Sequence, residues 1–119
     1  MKVCVIGLGQ VGLPTALYIA KHGFEVWGYD IRERAVNNAK GVGIEATTRW
    51  NKVPTADVYV ICVNTALVNN RPDMTAIFDV CGKIVQKPKS SLVSIESTIV
   101  PGTCRKIHEN IFRGNTSLI

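Results

Sequence analysis

Residues Val3 to Asp30 read VCVIGLGQVGLPTALYIAKHGFEVWGYD, and this stretch decides the fold. An apolar run, Val3 to Ile6, enters a turn that carries Gly7, Gly9 and Gly12, the spacing G-x-G-x-x-G. A helical stretch over about Val11 to Lys21 leaves the turn. A second apolar run, Val26 to Tyr29, follows and ends on Asp30. Strand, glycine turn, helix, strand and terminal acid occur in the order of a βαβ unit that binds a dinucleotide, with the acid about 20 residues beyond the glycines.

Each of these residues has a physical task in that reading. Gly7 permits the tight turn out of the first strand. Gly9 carries no side chain, so a pyrophosphate can approach the backbone. Gly12 lets the helix pack closely on the sheet. The N–H groups around Gln10, Val11 and Gly12, with the positive end of the helix dipole, attract phosphate. Asp30 can accept hydrogen bonds from ribose hydroxyls, and its charge disfavours a 2′-phosphate, so NAD is expected over NADP. Arg32 and Arg34 act against that preference, because arginine near this position can bind the 2′-phosphate. The alternatives are that these side chains lie along the adenine or face solvent.

Outward from this unit the pattern continues. A helix is expected over Arg32 to Ala39, then a short strand over Ile44 to Thr48, with Trp50 and Val53 covering the core. VYVICV at Val58 to Val63 reads as a strand buried on both faces of a parallel sheet. Asn64 to Pro72 reads as a polar loop. In the helix expected over Asp73 to Lys87, Met74, Ile77, Phe78, Cys81, Ile84 and Val85 fall at helical spacing and are assigned to the core. Leu92 to Ile95 is the fifth strand, and Pro101-Gly102 opens a last helix reaching about Phe112. The fold class is α/β: a doubly wound, Rossmann-like parallel sheet of order 3-2-1-4-5 in three α/β/α layers. No completing strand is expected in the last residues, Arg113 to Ile119. Residues 1–119 then read as one dinucleotide-binding domain at the front of a longer enzyme.

The chain's 119 residues are enough for one cored domain, and 46% of them are apolar. No apolar run reaches the length of a membrane span. Met1-Lys2-Val3 leads straight into the first strand, with no signal peptide, so the cytoplasm is the expected location. The net charge of +5 comes from scattered basic residues with no nucleic-acid module among them. Cys4, Cys62, Cys81 and Cys104 make no C-x-x-C pair, and His22 and His108 complete no metal pattern. Cys104, near a helix start, is the one thiol with a case for reactivity, against the plainer reading as a packed side chain.

In such sheets ligands lie at the carboxyl ends of the strands, where strand order reverses. That row brings Gly7 to Gly12, Val63 to Thr65 and Glu96 to Thr98 together. Val63 is expected to flank a cofactor ribose, and Thr65 to offer a hydroxyl to ribose or phosphate. Ser97 and Thr98 are expected near the nicotinamide, where Thr98 could hold a water or a substrate oxygen. The alternative is that both merely cap a turn. Glu96 as a general base is the weaker option, since its carboxylate could instead satisfy backbone N–H groups.

Four segments carry a further resemblance: GLGQVGLPTALYIAKHGFEVWGYDI at 7–31, ADVYVICVNT at 56–65, PDMTAI at 72–77 and SIESTIVPGT at 94–103. Together they resemble the nucleotide-sugar 6-dehydrogenase family, which includes UDP-glucose and UDP-N-acetylmannosamine dehydrogenases. The E-S-T-x-x-P-G-T stretch at Glu96 to Thr103 discriminates far better than the glycine turn. The resemblance implies an NAD-dependent oxidation of a UDP-sugar C6 alcohol to a carboxylate in two steps. It implies that the catalytic cysteine, lysine and asparagine lie downstream of this chain, and that the complete enzyme is a homodimer. By position it carries over Gly7, Gly9, Gly12 and Asp30 for NAD, with Val63, Thr65 and Thr98 near the nicotinamide. Two departures stand out: Ala66 replaces a proline usual after the fourth strand, and Gly41 to Thr48 is short where the family usually has an insertion. Two other readings remain. One is a 3-hydroxyacid dehydrogenase of the 6-phosphogluconate type, which usually has methionine at the Val11 position. The other is a non-catalytic NAD/NADH sensor.

Overall fold

The structure is a computed structural model that describes residues 1–65, 67–87, 92–97, 101–112 and 117–118, leaving the side chains of Pro72, Ser117 and Leu118 aside. In chain order the elements are β1 Lys2–Ile6, α1 Gly12–Lys21, β2 Glu25–Tyr29, α2 Glu33–Gly41, β3 Glu45–Thr47 and β4 Val58–Ile61. Then follow β5 Leu67–Val68, β6 Arg71–Pro72, α3 Thr75–Val85, β7 Leu92–Ile95, α4 Thr103–Asn110 and β8 Ser117–Leu118. A single 3₁₀ turn, Trp50–Lys52, lies between β3 and β4. No described helix is long and apolar enough to cross a membrane.

The main sheet has the order β3-β2-β1-β4-β7-β8, and every pairing in it is parallel. Its first five strands follow the expected 3-2-1-4-5 course. Strand alternation divides the core into two halves, because successive side chains point to opposite faces. From β1, Val3 and Val5 pack with Ala16 of α1 and Ala35, Val36 and Ala39 of α2. Cys4 and Ile6 point the other way, to Ile77, Cys81 and Ile84 of α3 and Ile107 of α4. A strand covered on both faces must be apolar at every position, which is why Val3 to Ile6 and Val58 to Ile61 show no alternation in sequence.

Three expectations need correction. Residues 117–118 do form a strand: β8 pairs with β7 through Leu92–Ser117 and Val93–Leu118. Two residues are too few to carry a period-2 pattern. The stretch expected as a plain loop contains an antiparallel hairpin, β5 on β6, in which Asn69 and Asn70 both have positive φ (53° and 61°). That is the geometry of a two-residue hairpin turn, and asparagine is the side-chain-bearing residue that best tolerates it. Finally, Val85 leaves the core stripe of α3 and is 47% exposed, while Val80 takes a buried place in it. Val80 and Ile84 are one turn apart on the sheet-facing side, and Val85 sits just past that stripe at the last helical position.

Trp50 fixes α3 from the side. Its indole N–H donates to the Lys83 carbonyl at 3.2 Å. The Lys87 ammonium donates to the carbonyls of Val53 and Trp50 and lies 5.1 Å above the Trp50 ring. These bonds satisfy carbonyls at the end of α3 and of the 3₁₀ turn. They also set the position of the α3 face that bounds the cleft described next.

Candidate functional site: a cleft at the carboxyl ends of β1, β2 and β4

The register places Ile6 opposite both Tyr29 and Ile61, and Ile61 opposite Ile95. The residues that follow, Gly7, Asp30, Cys62 and Glu96, therefore lie in one row along the sheet edge. Backbone bonds extend the ladder past the strand ends: Gly7 N–H to Tyr29 carbonyl at 2.8 Å, Cys62 N–H to Ile6 carbonyl at 2.7 Å, and Glu96 N–H to Ile61 carbonyl at 2.8 Å. Strand order reverses between β1 and β4, and a cleft of about 420 Å³ opens there. Its walls include Gly7 and Gly9, Asp30 and Arg32, Val63, and the Ala76, Asp79, Val80 and Lys83 face of α3.

The glycines differ in what they make possible. Gly7 has φ +94°, and a Cβ there would fall 2.6 Å from the Cys62 carbonyl oxygen. A Cβ on Gly12 would fall 1.6 Å from the Gly7 carbonyl oxygen, so α1 is seated directly on the turn. Both are demanded by the fold itself. Gly9 is not: its φ is unexceptional, and a Cβ there would meet only the Arg32 guanidinium, at 3.5 Å. The fold tolerates a side chain at Gly9, whereas a ligand lying on the turn would not.

Asp30 is buried, 6% exposed, and each carboxylate oxygen accepts two hydrogen bonds. Oδ2 takes the Leu8 N–H at 2.9 Å and Arg32 Nη2 at 3.2 Å. Oδ1 takes the Arg32 N–H at 2.8 Å and Arg32 Nε at 3.2 Å. Burial alone would raise the Asp30 pKa. The hydrogen bonds from the Arg32 guanidinium and from the Leu8 and Arg32 backbones, with the Arg32 charge, outweigh it and hold the carboxyl below its usual range. The folded-state pKa is thus the depressed one. The stabilisation it brings is complete above the unfolded carboxyl's value and is lost as pH falls through the folded one. Wild type compared with Asp30→Asn in urea should show a stability difference that is constant from about pH 7 to 5 and shrinks at lower pH. A difference that does not vary with pH would mean that the Asp30 charge is not held by these contacts.

Other expected site residues are placed less simply. Gln10 and Val11 are exposed at the start of α1, and the Leu13 N–H is taken up by the Gly9 carbonyl at 3.1 Å. Val63 lines the cleft, but Thr65, half-buried two residues on, does not. The Ser97 hydroxyl donates to the Val63 carbonyl at 2.7 Å, tying the ends of β7 and β4 together. The Glu96 carboxylate accepts the Ser94 hydroxyl at 2.8 Å. Thr98 and Ala66 lie outside the described residues. Arg32 forks onto Asp30 while more than half of its side chain stays exposed.

Of the four cysteines, Cys62 lines the cleft, and Cys4, Cys62 and Cys81 are buried. Burial pushes the Cys62 thiol up to about 11, with the Glu96 charge adding to it and Thr15 opposing it. Burial likewise lifts Cys4 and Cys81 to about 12. Cys104 is half-buried on α4. The wall given by Ala76, Asp79, Val80 and Lys83 was not foreseen, because the α3 stripe was assigned to the core alone. These positions lie at i, i+3, i+4 and i+7, one stripe of the helix along which Asp79 and Lys83 interrupt the apolar pattern.

Comparison with known proteins agrees with this geometry. The model of the UDP-glucose/GDP-mannose dehydrogenase family, NAD binding domain, matches residues 1–46 and 36–118. The two matched stretches overlap at residues 36–46, around the short connection at Gly41. A UDP-N-acetyl-D-mannosamine dehydrogenase of Methanococcus maripaludis is 34% identical over 92% of this chain, which spans 31% of that relative's length. The solved UDP-D-ManNAc dehydrogenase from Pyrococcus horikoshii superposes with a TM-score of 0.83 at 30% identity, over 99% of this chain and 35% of that one. A 3-hydroxyisobutyrate dehydrogenase of Mycobacterium tuberculosis also superposes, with a TM-score of 0.79 over 98% of this chain and 38% of that one, but at 20% identity it shows only the shared fold. The hydroxyacid-dehydrogenase alternative is therefore not favoured. The glycine turn, the acid closing β2 and the match over nearly the whole length give one conclusion: the chain belongs to the UDP-glucose/GDP-mannose dehydrogenase family, as its NAD-binding domain.

Proposed function

We propose that residues 1–119 form the N-terminal cofactor domain of a longer enzyme that oxidises the C6 alcohol of a UDP-sugar to a carboxylate. The observation that carries the reading is Gly9. It is the one glycine of the fingerprint that the fold does not need, and it faces the cleft beside Asp30. A pyrophosphate lying on the backbone at Gly9 and at the start of α1, with its ribose on Asp30, gives that position a reason to lack a side chain. Gln10, Val11 and Gly12 supply the helix start, and Arg32 and Val63 bound the ribose. Thr65, Ser97 and Thr98 belong to the nicotinamide side, with Thr98 positioning a water or the substrate oxygen.

Bound NAD supplies the hydride acceptor. The chain's own part is to hold and orient the dinucleotide, and the covalent chemistry belongs to downstream residues. A UDP-sugar substrate, a homodimeric full-length enzyme and a cytoplasmic setting are parts of the same proposal. Alcohol to carboxylate is a four-electron oxidation, consuming one water and two NAD and yielding two NADH. The enzyme that contains this chain should release two NADH per sugar acid formed from UDP-N-acetylmannosamine or UDP-glucose, while the 119 residues alone bind NAD and release none. A stoichiometry of one, or turnover by the 119 residues, would sink the reading.

A further inference from the structure

We propose that Arg32 opens this site to a cofactor phosphorylated at the ribose 2′-oxygen, so that it takes NADP as well as NAD. The proposal rests on the assignment of the cleft as the dinucleotide site. An acid at the end of β2 ordinarily selects NAD in two ways: its oxygens accept the 2′-hydroxyl, and its charge repels a 2′-phosphate. Here both effects are blunted by the same side chain.

The acceptor capacity of Asp30 is already filled. Oδ1 is held by the Arg32 N–H and Nε, and Oδ2 by the Leu8 N–H and Arg32 Nη2. A carboxylate has little room for more donors than this. A ribose hydroxyl can bond to Asp30 only by displacing the guanidinium, so part of the usual gain for NAD is spent on breaking a charged pair.

The repulsion is blunted because the acid does not stand alone. Its negative charge is matched by a guanidinium 3.2 Å away. The Arg32 side chain is 57% exposed while that of Asp30 is 5% exposed, so an approaching phosphate meets the cation first. Arg32 lines the cleft, with Nη2 beside Gly9, and its pair with Asp30 engages Nε and Nη2 and leaves Nη1 out of that pair. A guanidinium edge is the group best shaped to receive a phosphate. A 2′-phosphate can dock there with Arg32 still on Asp30, whereas NAD must move it.

The test is calorimetric titration of the chain with NAD and with NADP, for wild type, Arg32→Ala and Arg32→Lys. Wild type should bind both, with dissociation constants within about tenfold of each other. Arg32→Ala should tighten NAD, since the competitor for Asp30 is gone, and weaken NADP, widening the preference by about tenfold or more. Arg32→Lys, which keeps the charge without the fork, should retain NADP binding better than Arg32→Ala does. No NADP binding by a wild type that binds NAD, or a preference unmoved by Arg32→Ala, overturns the proposal and leaves the NAD site standing. A wild type that binds neither dinucleotide overturns both.

Discussion

Replacing Gly12 with alanine is expected to cost at least about 3 kcal/mol of stability, the largest loss among the described glycines. The added Cβ would fall 1.6 Å from the Gly7 carbonyl oxygen and 2.7 Å from its carbon. Neither atom can swing away, because both belong to the backbone of the turn. The Gly7 N–H is in turn fixed to the Tyr29 carbonyl at 2.8 Å. Relief must come from α1 lifting off β1, and that opens the packing of Ala16 against Val3 and Val5. Gly82 in α3 is the control. Nothing lies within 4 Å of a Cβ built there, so Gly82→Ala should raise stability by about 0.5–1 kcal/mol through helix propensity alone. Urea midpoints for the two variants should move in opposite directions. If Gly12→Ala unfolds within about 0.5 kcal/mol of wild type, α1 is not seated on the turn as described.

Asp30→Ala should weaken NAD binding by about 100-fold, the largest single effect on affinity. Two charge-assisted hydrogen bonds to ribose hydroxyls bring about 3–6 kcal/mol before the displacement of Arg32 is subtracted. The same change frees the guanidinium, so NADP should lose far less and become the preferred ligand. Stability should fall too, by about 1–3 kcal/mol, because the N–H of buried Leu8 loses its acceptor. Asp30→Asn, which keeps an acceptor for Leu8, separates the two effects. Gly9→Ala gives the complementary dissection: it should lower NAD affinity and leave the urea midpoint near that of wild type, since the new methyl group meets only the Arg32 guanidinium, at an ordinary contact distance of 3.5 Å. Loss of stability without loss of affinity at Gly9 would remove the pyrophosphate from the turn.

The sequence carried the fold because the fold rests on local and periodic constraints. Val3 to Ile6 and Val58 to Ile61 are apolar without alternation, as strands covered on both faces must be. Gly7, Gly12 and Gly23 mark places where the backbone needs a positive φ or a close contact, and such needs are written in residue type. Asp30 could be placed at the end of β2 by counting alone. The short elements were not legible. β8 and the β5–β6 hairpin have two residues per strand, which leaves no period to read, and the hairpin turns on asparagines rather than on glycine.

The composition of the site was decided in three dimensions. Arg32 lies two residues from Asp30, but whether it faces solvent, adenine or the acid depends on how α2 leaves β2, and only the folded geometry shows the fork. Asp79 and Lys83 enter the cleft because the Trp50 and Lys87 contacts hold α3 against it, across more than 30 residues of chain. Ser97 could be read as a site hydroxyl, yet its proton is taken by the Val63 carbonyl of a neighbouring strand. The sequence alone determined the α/β fold, the dinucleotide fingerprint and the acid that closes β2, because those depend on chain-local sterics and on strand periodicity. The tertiary structure alone decided which side chains are already engaged and which remain to meet a ligand, because hydrogen bonds are shared among groups that the chain brings together only on folding.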